Sequence, residues 1–147
     1  MKSGDDAFDL DAFTPYRLAV AAKRTSEELA SQYRARFGIS IPEWRVLVHL
    51  DNAGGDISVR DIEACVALEK YEISRTTSRL EERGLLVKEA STTDRRLVRL
   101  ALTEEGQALM RDLLPLARAY QQKIEQRLGT AFAGLEDALT KLLRDDE

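Results

Sequence analysis

Apolar residues recur at spacings of three and four along both ends of this chain, which is the pattern of amphipathic helices. Thr14-Pro15 indicates a helix start, with the threonine as N-cap, and Gly38 indicates its end. Thr103 is the predicted cap of a second long helix, in which Pro115 predicts a kink and Gly129 a break before a final helix. The wide apolar stripes of these helices lead us to expect that they need partners. The stripe positions are Leu18, Ala22, Leu29, Tyr33 and Phe37, then Leu109, Leu113, Leu116, Tyr120, Ile124 and Leu128, and finally Phe132, Leu135, Leu139, Leu142 and Leu143.

The middle of the chain contains shorter elements. A helix that is apolar nearly all round begins at Ile41-Pro42-Glu43, which predicts a central position in the domain. Ser58, with Asp61 three residues later, is the predicted N-cap of a short helix. After a tight turn another helix is expected over residues 70–83, and then the apolar pattern changes to that of strands. The two predicted strands cover residues 85–90 and 97–102. Two short helices followed by a β-hairpin are typical of a winged helix-turn-helix.

The composition excludes several classes of function. The chain has 147 residues, 44% of them apolar and 33% charged, which fits one globular domain. It has neither a membrane-length apolar run nor a signal pattern at its start, so we expect a cytoplasmic protein without a membrane partner. One cysteine and one histidine make a disulfide or a zinc site unexpected. Without a Ser-His-Asp grouping or a phosphate-binding loop, we expect no enzyme, no cofactor and no metal.

The charge is unevenly distributed. The formal net charge is −4, which does not favour nucleic-acid binding. Between Lys70 and Arg99, however, the sequence contains eight basic and five acidic residues. The first 13 residues instead carry four aspartates against one lysine, and we expect them to form a flexible acidic tail. Acidic ends around a basic middle indicate one face that meets polyanions.

The helix over residues 70–83 is the predicted recognition helix. Ile73, Thr76, Thr77 and Leu80 lie at helical spacing and should face the core. The remaining face offers arginine, an aromatic ring and hydroxyl groups, which suit guanine edges and phosphates in a major groove. The candidate contacts are Lys70, Tyr71, Ser74, Arg75, Ser78 and Arg79. Glu72 has alternative roles: pairing with a neighbouring arginine, stabilising the helix dipole, or accepting a hydrogen bond from cytosine.

The loop between the predicted strands carries Asp94-Arg95-Arg96 at its tip. An arginine there can enter a narrow minor groove, and Asp94 would hold one arginine by a charge-assisted hydrogen bond. A solvated charged turn is the alternative. The stretch DRRLVRLALT resembles the pattern D-x-R-x-x-x-L-x-L-T of the MarR family of transcriptional regulators. The positions that carry this resemblance are Asp94, Arg96, Leu100, Leu102 and Thr103.

The resemblance extends upstream. Residues 57–89 look like the helix-turn-helix core of that family, and residues 42–47 resemble the start of its second helix. It implies a triangular homodimer on a palindromic DNA site, with Arg96 in the minor groove and Asp94 as its partner. Glu69, Tyr71 and Glu72 depart from residues common in the family, so the base contacts stay undefined.

The expected fold is therefore mainly α-helical with a small β-hairpin wing. Residues 14–147 would form one MarR-like domain. Within it, residues 41–103 would be the winged helix-turn-helix DNA-binding lobe, and residues 14–40 with 104–147 the helical dimerisation region.

Two further hypotheses concern small-molecule and redox chemistry. The resemblance implies a pocket for a small aromatic or phenolic effector, for which Trp44, Arg45 and His49 are candidates; alternatively Trp44 is core and His49 a hydrogen-bonded surface residue. Cys65 is expected to be a small packing residue rather than a redox sensor, because no cluster of basic residues surrounds it in sequence.

Two function classes follow. The first is a sequence-specific regulator, acting as a repressor that binds double-stranded DNA as a homodimer. The alternative is a winged-helix module for protein association without sequence-specific DNA binding. Arginines on both the recognition helix and the wing favour the first class, whereas the acidic net charge favours the second.

Overall fold

The computed structural model describes residues 7–90 and 98–144 of the chain, and these form six α-helices and a small antiparallel sheet. A short 3-10 helix at Leu10–Ala12 precedes the first α-helix. The helices are α1 (Thr14–Phe37), α2 (Ile41–Asn52), α3 (Val59–Cys65), α4 (Lys70–Glu82), α5 (Glu104–Leu128) and α6 (Ala131–Leu143). The strands are β1 (Asp56–Ser58), β2 (Leu86–Ala90) and β3 (Val98–Leu102). The predicted fold class, mainly helical with a β-hairpin wing, is confirmed.

The sheet contains a strand that the sequence pattern did not predict. β3 is its central strand, with β2 on one side and β1 on the other, both antiparallel to it. β1 pairs Asp56 with Ala101 and Ser58 with Arg99. The Arg99 Nε donates to Asp56 Oδ1 at 2.7 Å across the same pair of strands. A strand of three residues is too short to show an alternating pattern, so only its partner identifies it.

The starts of α1 and α2 follow local backbone chemistry. The prediction that Thr14 caps α1 is wrong by one position: the N-cap is Phe13, which has extended dihedral angles and whose carbonyl accepts from the Arg17 N–H at 3.1 Å. The preceding 3-10 turn delivers the chain in this conformation, and Pro15 fits within the first turn because its missing N–H would have no helical partner there. α2 has a complete capping box, in which Ser40 and Glu43 bond each other's backbone N–H.

The core lies in the middle lobe. Val46, Leu47 and Leu50 of α2 are fully buried, so its predicted central position is confirmed. The second half of α1, the inner face of α4, β2, β3 and the first half of α5 pack around α2 and complete one core cluster. α5 continues through Pro115 and ends at Gly129, where φ is 55°. Within the described ranges, no helix is long and apolar enough to cross a membrane.

The base of the wing is fixed to the start of α5. Thr103 accepts from the Gly106 N–H as the N-cap of α5, and its hydroxyl donates to the Gly84 carbonyl at 2.6 Å. A Cβ at Gly106 would overlap the carbonyl oxygen of Leu85. The glycine therefore permits a close backbone approach between α5 and the segment that leads into β2.

The two ends of the chain are the least covered. α6 has no buried residue, and the first half of α1 has none either. The large apolar side chains left exposed at these ends are Phe8, Leu10, Phe13, Tyr16, Leu18, Leu135, Leu142 and Leu143. The wide stripes that the sequence predicts are thus open along much of their length in a single chain.

Candidate nucleic-acid interface

The inner face of α4 anchors the helix in the lobe. Ile73 and Leu80 are buried in the core, and Thr76 and Thr77 are buried beside them, as the helical spacing predicts. The Thr77 hydroxyl donates a hydrogen bond to the Ser74 carbonyl at 3.1 Å, so this buried polar group has a partner within α4. With four positions fixed, the orientation of the remaining side chains of α4 is set.

The outer face of α4 presents the predicted contact residues to solvent. Tyr71 is 62% exposed, so most of its ring is open to a partner molecule. Arg79 donates to the Thr76 hydroxyl at 3.3 Å, and with Arg75 and Glu72 it lines a shallow depression. Glu72 lies in the first turn, where a carboxylate stabilises the helix dipole. The exposed contact residues are Lys70, Tyr71, Ser74, Arg75 and Arg79, whereas Ser78 is half-buried.

Lys88 is a cation of this face that the sequence pattern did not identify. It lies on β2, its Nζ donates to the Ser78 hydroxyl at 3.2 Å, and its backbone N–H donates to Glu81 Oε2 at 3.3 Å. These bonds connect the wing to the outer side of α4. The exposed position of Lys88 on an amphipathic strand was the available signal, but its proximity to Ser78 depends on how β2 packs against α4.

The wing continues the same surface away from α4. β2 and β3 pair over five residues, from Leu86 with Leu102 to Ala90 with Val98, and so extend as a two-stranded ribbon. The candidate residues Asp94, Arg95 and Arg96 lie outside the described residues, between the ends of these strands. Their role therefore stays a prediction.

A separate cavity of about 310 Å³ lies between α1, α2 and α5. Trp44 and Arg45 line it, and the Trp44 ring stacks on Tyr33 with centroids 5.5 Å apart. Burial raises the pKa of Tyr33 to about 12. Arg45 also donates from Nη1 to the Ala67 carbonyl at 3.1 Å, in the turn between α3 and α4. Two of the three predicted pocket residues thus meet at one cavity.

His49 lies elsewhere, beside Cys65. Its Nδ1 is 3.5 Å from the Cys65 Sγ, and His49 is absent from the lining of the cavity. The prediction that Cys65 is a packing residue is wrong, because the thiol is exposed. α3 has only seven residues and packs on the core through Ile62 and the half-buried Val59, so its last residue remains at the surface.

A polar cluster joins α1 to α5 beside the cavity. The Tyr120 hydroxyl donates to Glu28 Oε1 at 2.8 Å, and Arg127 approaches the same oxygen at 3.4 Å. The hydrogen bond from Tyr120 and the charge of Arg127 lower the pKa of Glu28. Burial, together with the bond to Glu28, raises the pKa of Tyr120 to about 12. Among the residues that the structure describes, no group of three His, Cys, Asp or Glu side chains could hold a metal ion.

Comparison with known proteins shows which family this geometry resembles. The profile of the MarR family matches residues 37–97. The HTH-type transcriptional regulator MhqR of Bacillus subtilis is 30% identical over 94 residues, and the chain spans 64% of the length of that relative. The aligned region covers 64% of this chain. This relative is thus a transcriptional regulator.

Solved structures match over almost the whole chain. A MarR/EmrR family regulator from Acinetobacter superposes with a TM-score of 0.80 at 26% identity, covering 92% of this chain and 95% of that one. BpsR of Bordetella bronchiseptica, whose DNA binding is regulated by 6-hydroxynicotinic acid, has the same fold, with a TM-score of 0.80 at 23% identity over 95% of this chain and 99% of that one. With arginines on the exposed face of α4 beside the wing, the chain is similar in its fold, and in the sequence of residues 37–97, to the MarR family of winged helix-turn-helix regulators.

Proposed function

We propose that this protein is a transcriptional repressor that binds a palindromic DNA operator as a homodimer. The observation that carries the proposal is the outer face of α4, where Arg75, Arg79 and the exposed Tyr71 lie opposite a fully anchored inner face. A rigid helix with arginine and hydroxyl groups on its free side suits direct readout of base edges in a major groove. Operator binding also places the protein in the cytoplasm, with the genome.

The wing would provide the second contact with DNA. Lys88 adds a positive charge beside Ser78, at a position suited to the phosphate backbone rather than to bases. Arg95 and Arg96 at the tip would enter the adjacent minor groove, with Asp94 orienting one of them. In this arrangement α4 supplies specificity, and the wing and Lys88 supply affinity that does not depend on sequence.

Dimerisation would cover the open ends of the chain. α6 contains Leu135, Leu142 and Leu143 at 37%, 59% and 79% exposure, and the first half of α1 exposes Tyr16 and Leu18. The exposed apolar side chains form continuous stripes along the two helices, as in helix–helix contacts, and are not scattered singly over the surface. A second copy of the chain, related by a twofold axis, would bury both and place the two copies of α4 on one side of the dimer.

The cavity between α1, α2 and α5 would bind the effector that releases DNA. The stacked rings of Tyr33 and Trp44 offer a flat apolar wall, and Arg45 offers a positive charge. A volume of about 310 Å³ suits a ligand with a single ring. Together these groups favour a small aromatic carboxylate.

Selection of random duplexes at two salt concentrations tests the proposal. We expect a palindromic motif enriched at both, with half-sites about 10 bp apart and affinity that falls with a logarithmic slope of about −0.9 per phosphate contact. Salt-sensitive binding without a motif would indicate a nonspecific DNA-binding protein. Absence of binding at both concentrations would favour a protein-association module, the alternative consistent with the net charge of −4.

A further inference from the structure

Arg45 connects the cavity to the turn between α3 and α4. Among the described residues that line the cavity, it is the one with a hydrogen bond to this turn. It lies on α2, it lines the cavity together with Trp44, and its Nη1 donates to the Ala67 carbonyl at 3.1 Å. Ala67 is two residues ahead of Glu69, the N-cap of α4. One guanidinium therefore borders the proposed effector cavity and also holds the backbone that leads into the recognition helix.

The turn that Arg45 holds packs on the core through Val66 and Leu68, but its other backbone hydrogen bonds are local. Val66 donates to the Ile62 carbonyl and Leu68 to the Val66 carbonyl, so both of these backbone bonds are local. The bond from Arg45 comes from 22 residues away and joins the turn to α2. α4 also lacks a side-chain cap, since Glu69 makes no capping hydrogen bond. The bond from Arg45 is therefore the long-range polar contact of the segment before α4, beside the apolar packing of Val66 and Ile73 in the core.

The far end of α4 is attached in a different way. Arg83, directly after the helix, donates to the Gly38 and Phe37 carbonyls and to the carboxylate of Glu43. Arg83 does not line the cavity. α4 is therefore held near both ends by guanidinium groups, and the N-terminal one is the one a ligand in the cavity could reach.

We propose that Arg45 is a positioning residue that transmits effector binding to α4, an inference that rests on the proposed function. A carboxylate binds a guanidinium more strongly than a neutral carbonyl does, because both partners are charged and two parallel hydrogen bonds form. An aromatic carboxylate in the cavity draws Arg45 away from Ala67. The turn then loses its hydrogen bond to α2, and the N-terminal half of α4, which carries Tyr71, Ser74 and Arg75, becomes more mobile because it is held mainly by apolar packing.

Amide hydrogen exchange on the full-length protein, without DNA, tests this route. The probes are benzoate and 6-hydroxynicotinate at millimolar concentration, and the fluorescence of Trp44, the single tryptophan, reports their binding independently. We expect either acid to change this fluorescence and to raise exchange over residues 66–73 of the wild-type protein at least about threefold, as expected for the loss of a charged hydrogen bond.

Two variants separate coupling from general destabilisation. Arg45→Met should show the faster exchange at residues 66–73 without any acid, and acid should produce no further increase. Arg83→Met is the matched control: it removes the other guanidinium attached to α4, and it should keep the acid-dependent increase. Loss of the acid-dependent increase in an Arg45→Met protein whose Trp44 fluorescence still responds to the acid identifies transmission rather than a loss of binding.

Three results would overturn the inference. These are no response of Trp44 to either acid, binding of an acid without a change at residues 66–73, and an acid-dependent increase that persists in Arg45→Met. Because the assay contains no DNA, its outcome is separate from the duplex selection. A protein that selects no duplex but shows the coupling would contradict the proposed function and not the route through Arg45.

Discussion

The guanidinium of Arg83 donates to the Gly38 carbonyl at 3.2 Å and so joins residues 45 positions apart in the chain. The same side chain bonds the Phe37 carbonyl and Glu43 Oε2, at 3.2 and 3.4 Å. It thereby satisfies carbonyl groups left open at the C-terminal end of α1. α1, α2 and α4 meet at this one side chain, so the orientation of the recognition helix relative to α1 depends on it.

Replacement of Arg83 by Met should lower the free energy of unfolding by about 1–2 kcal/mol, because the 8%-exposed Glu43 carboxylate loses its cationic partner and two carbonyls lose a donor. Urea unfolding measures the change. Arg60→Met, at an exposed arginine of α3, is the control and should stay within about 0.5 kcal/mol of wild type. Equal stability of the two variants would mean that the Arg83 contacts add nothing net.

Gly106 and Gly134 give a matched pair of glycine substitutions in helices. Gly106→Ala should destabilise by about 1–3 kcal/mol, because its Cβ would overlap the Leu85 carbonyl oxygen and force α5 away from the wing. Gly134→Ala in α6 meets no atom within 4 Å and should stabilise by about 0.5–1 kcal/mol through helix propensity. Thermal unfolding of both variants at one protein concentration tests this pair. The melting temperature should fall in Gly106→Ala and rise in Gly134→Ala, and a change of the same sign in both would contradict the prediction.

Replacement of Arg75 by Ala should weaken binding to the selected duplex by about 1–3 kcal/mol and relax specificity at one base pair. Arg96→Ala, at the predicted tip of the wing, should weaken binding to all sequences more evenly and reduce the salt dependence. Fluorescence anisotropy with the selected duplex and single-base variants measures both. Arg118→Ala, on the exposed side of α5, is the control and should bind as wild type. If Arg75→Ala and Arg96→Ala both match it, the contact assignment is wrong.

The tyrosines of the α1–α5 contact predict a loss of stability in alkali. Tyr33 and Tyr120 have pKa values raised from about 10 to about 12, so both are protonated in the folded protein where the unfolded chain has lost these protons. Their contribution is fully present below pH 10 and decreases as the pH rises from about 10 to about 12.

Absorbance of tyrosinate in the wild-type protein, Tyr33→Phe and Tyr120→Phe measures the two raised pKa values. Each variant should lack one ionisation step near pH 12 that the wild-type protein shows. Tyr120→Phe should also raise the pKa of Glu28, because the hydrogen bond from Tyr120 is the main cause that lowers it. An unchanged titration of Glu28 in this variant would contradict the hydrogen bond.

The sequence predicts those features that depend on local periodicity. The four buried positions of α4 and the termination of α5 at Gly129 follow from spacing or backbone preference, and the structure confirms them. Asp61 supports the Ser58 cap in the same way, since its N–H donates to the Ser58 hydroxyl at 3.0 Å. Each of these features needs only residues within one or two helical turns.

Apart from the N-cap of α1, the features that the sequence did not predict depend on contacts between distant segments. β1 is defined only by its pairing with β3, and Cys65 meets His49 because α3 packs across α2. The acceptor of the hydrogen bond from Arg45 is the backbone carbonyl of Ala67. Every residue has such a carbonyl, so the residue type at position 67 does not indicate the bond. A single sequence contains no record of such pairings, so their discovery requires the packed structure.

The order of strands in the sheet has a consequence for synthesis of the chain on the ribosome. β3 is the last strand to be made, yet it lies between the other two. Until residue 102 has emerged, β1 and β2 have no strand to pair with, so the lobe that carries α4 cannot close. A nascent chain or a fragment that ends before β3 would contain every residue of α4. It would still lack the folded lobe that holds the outer face of α4 in position.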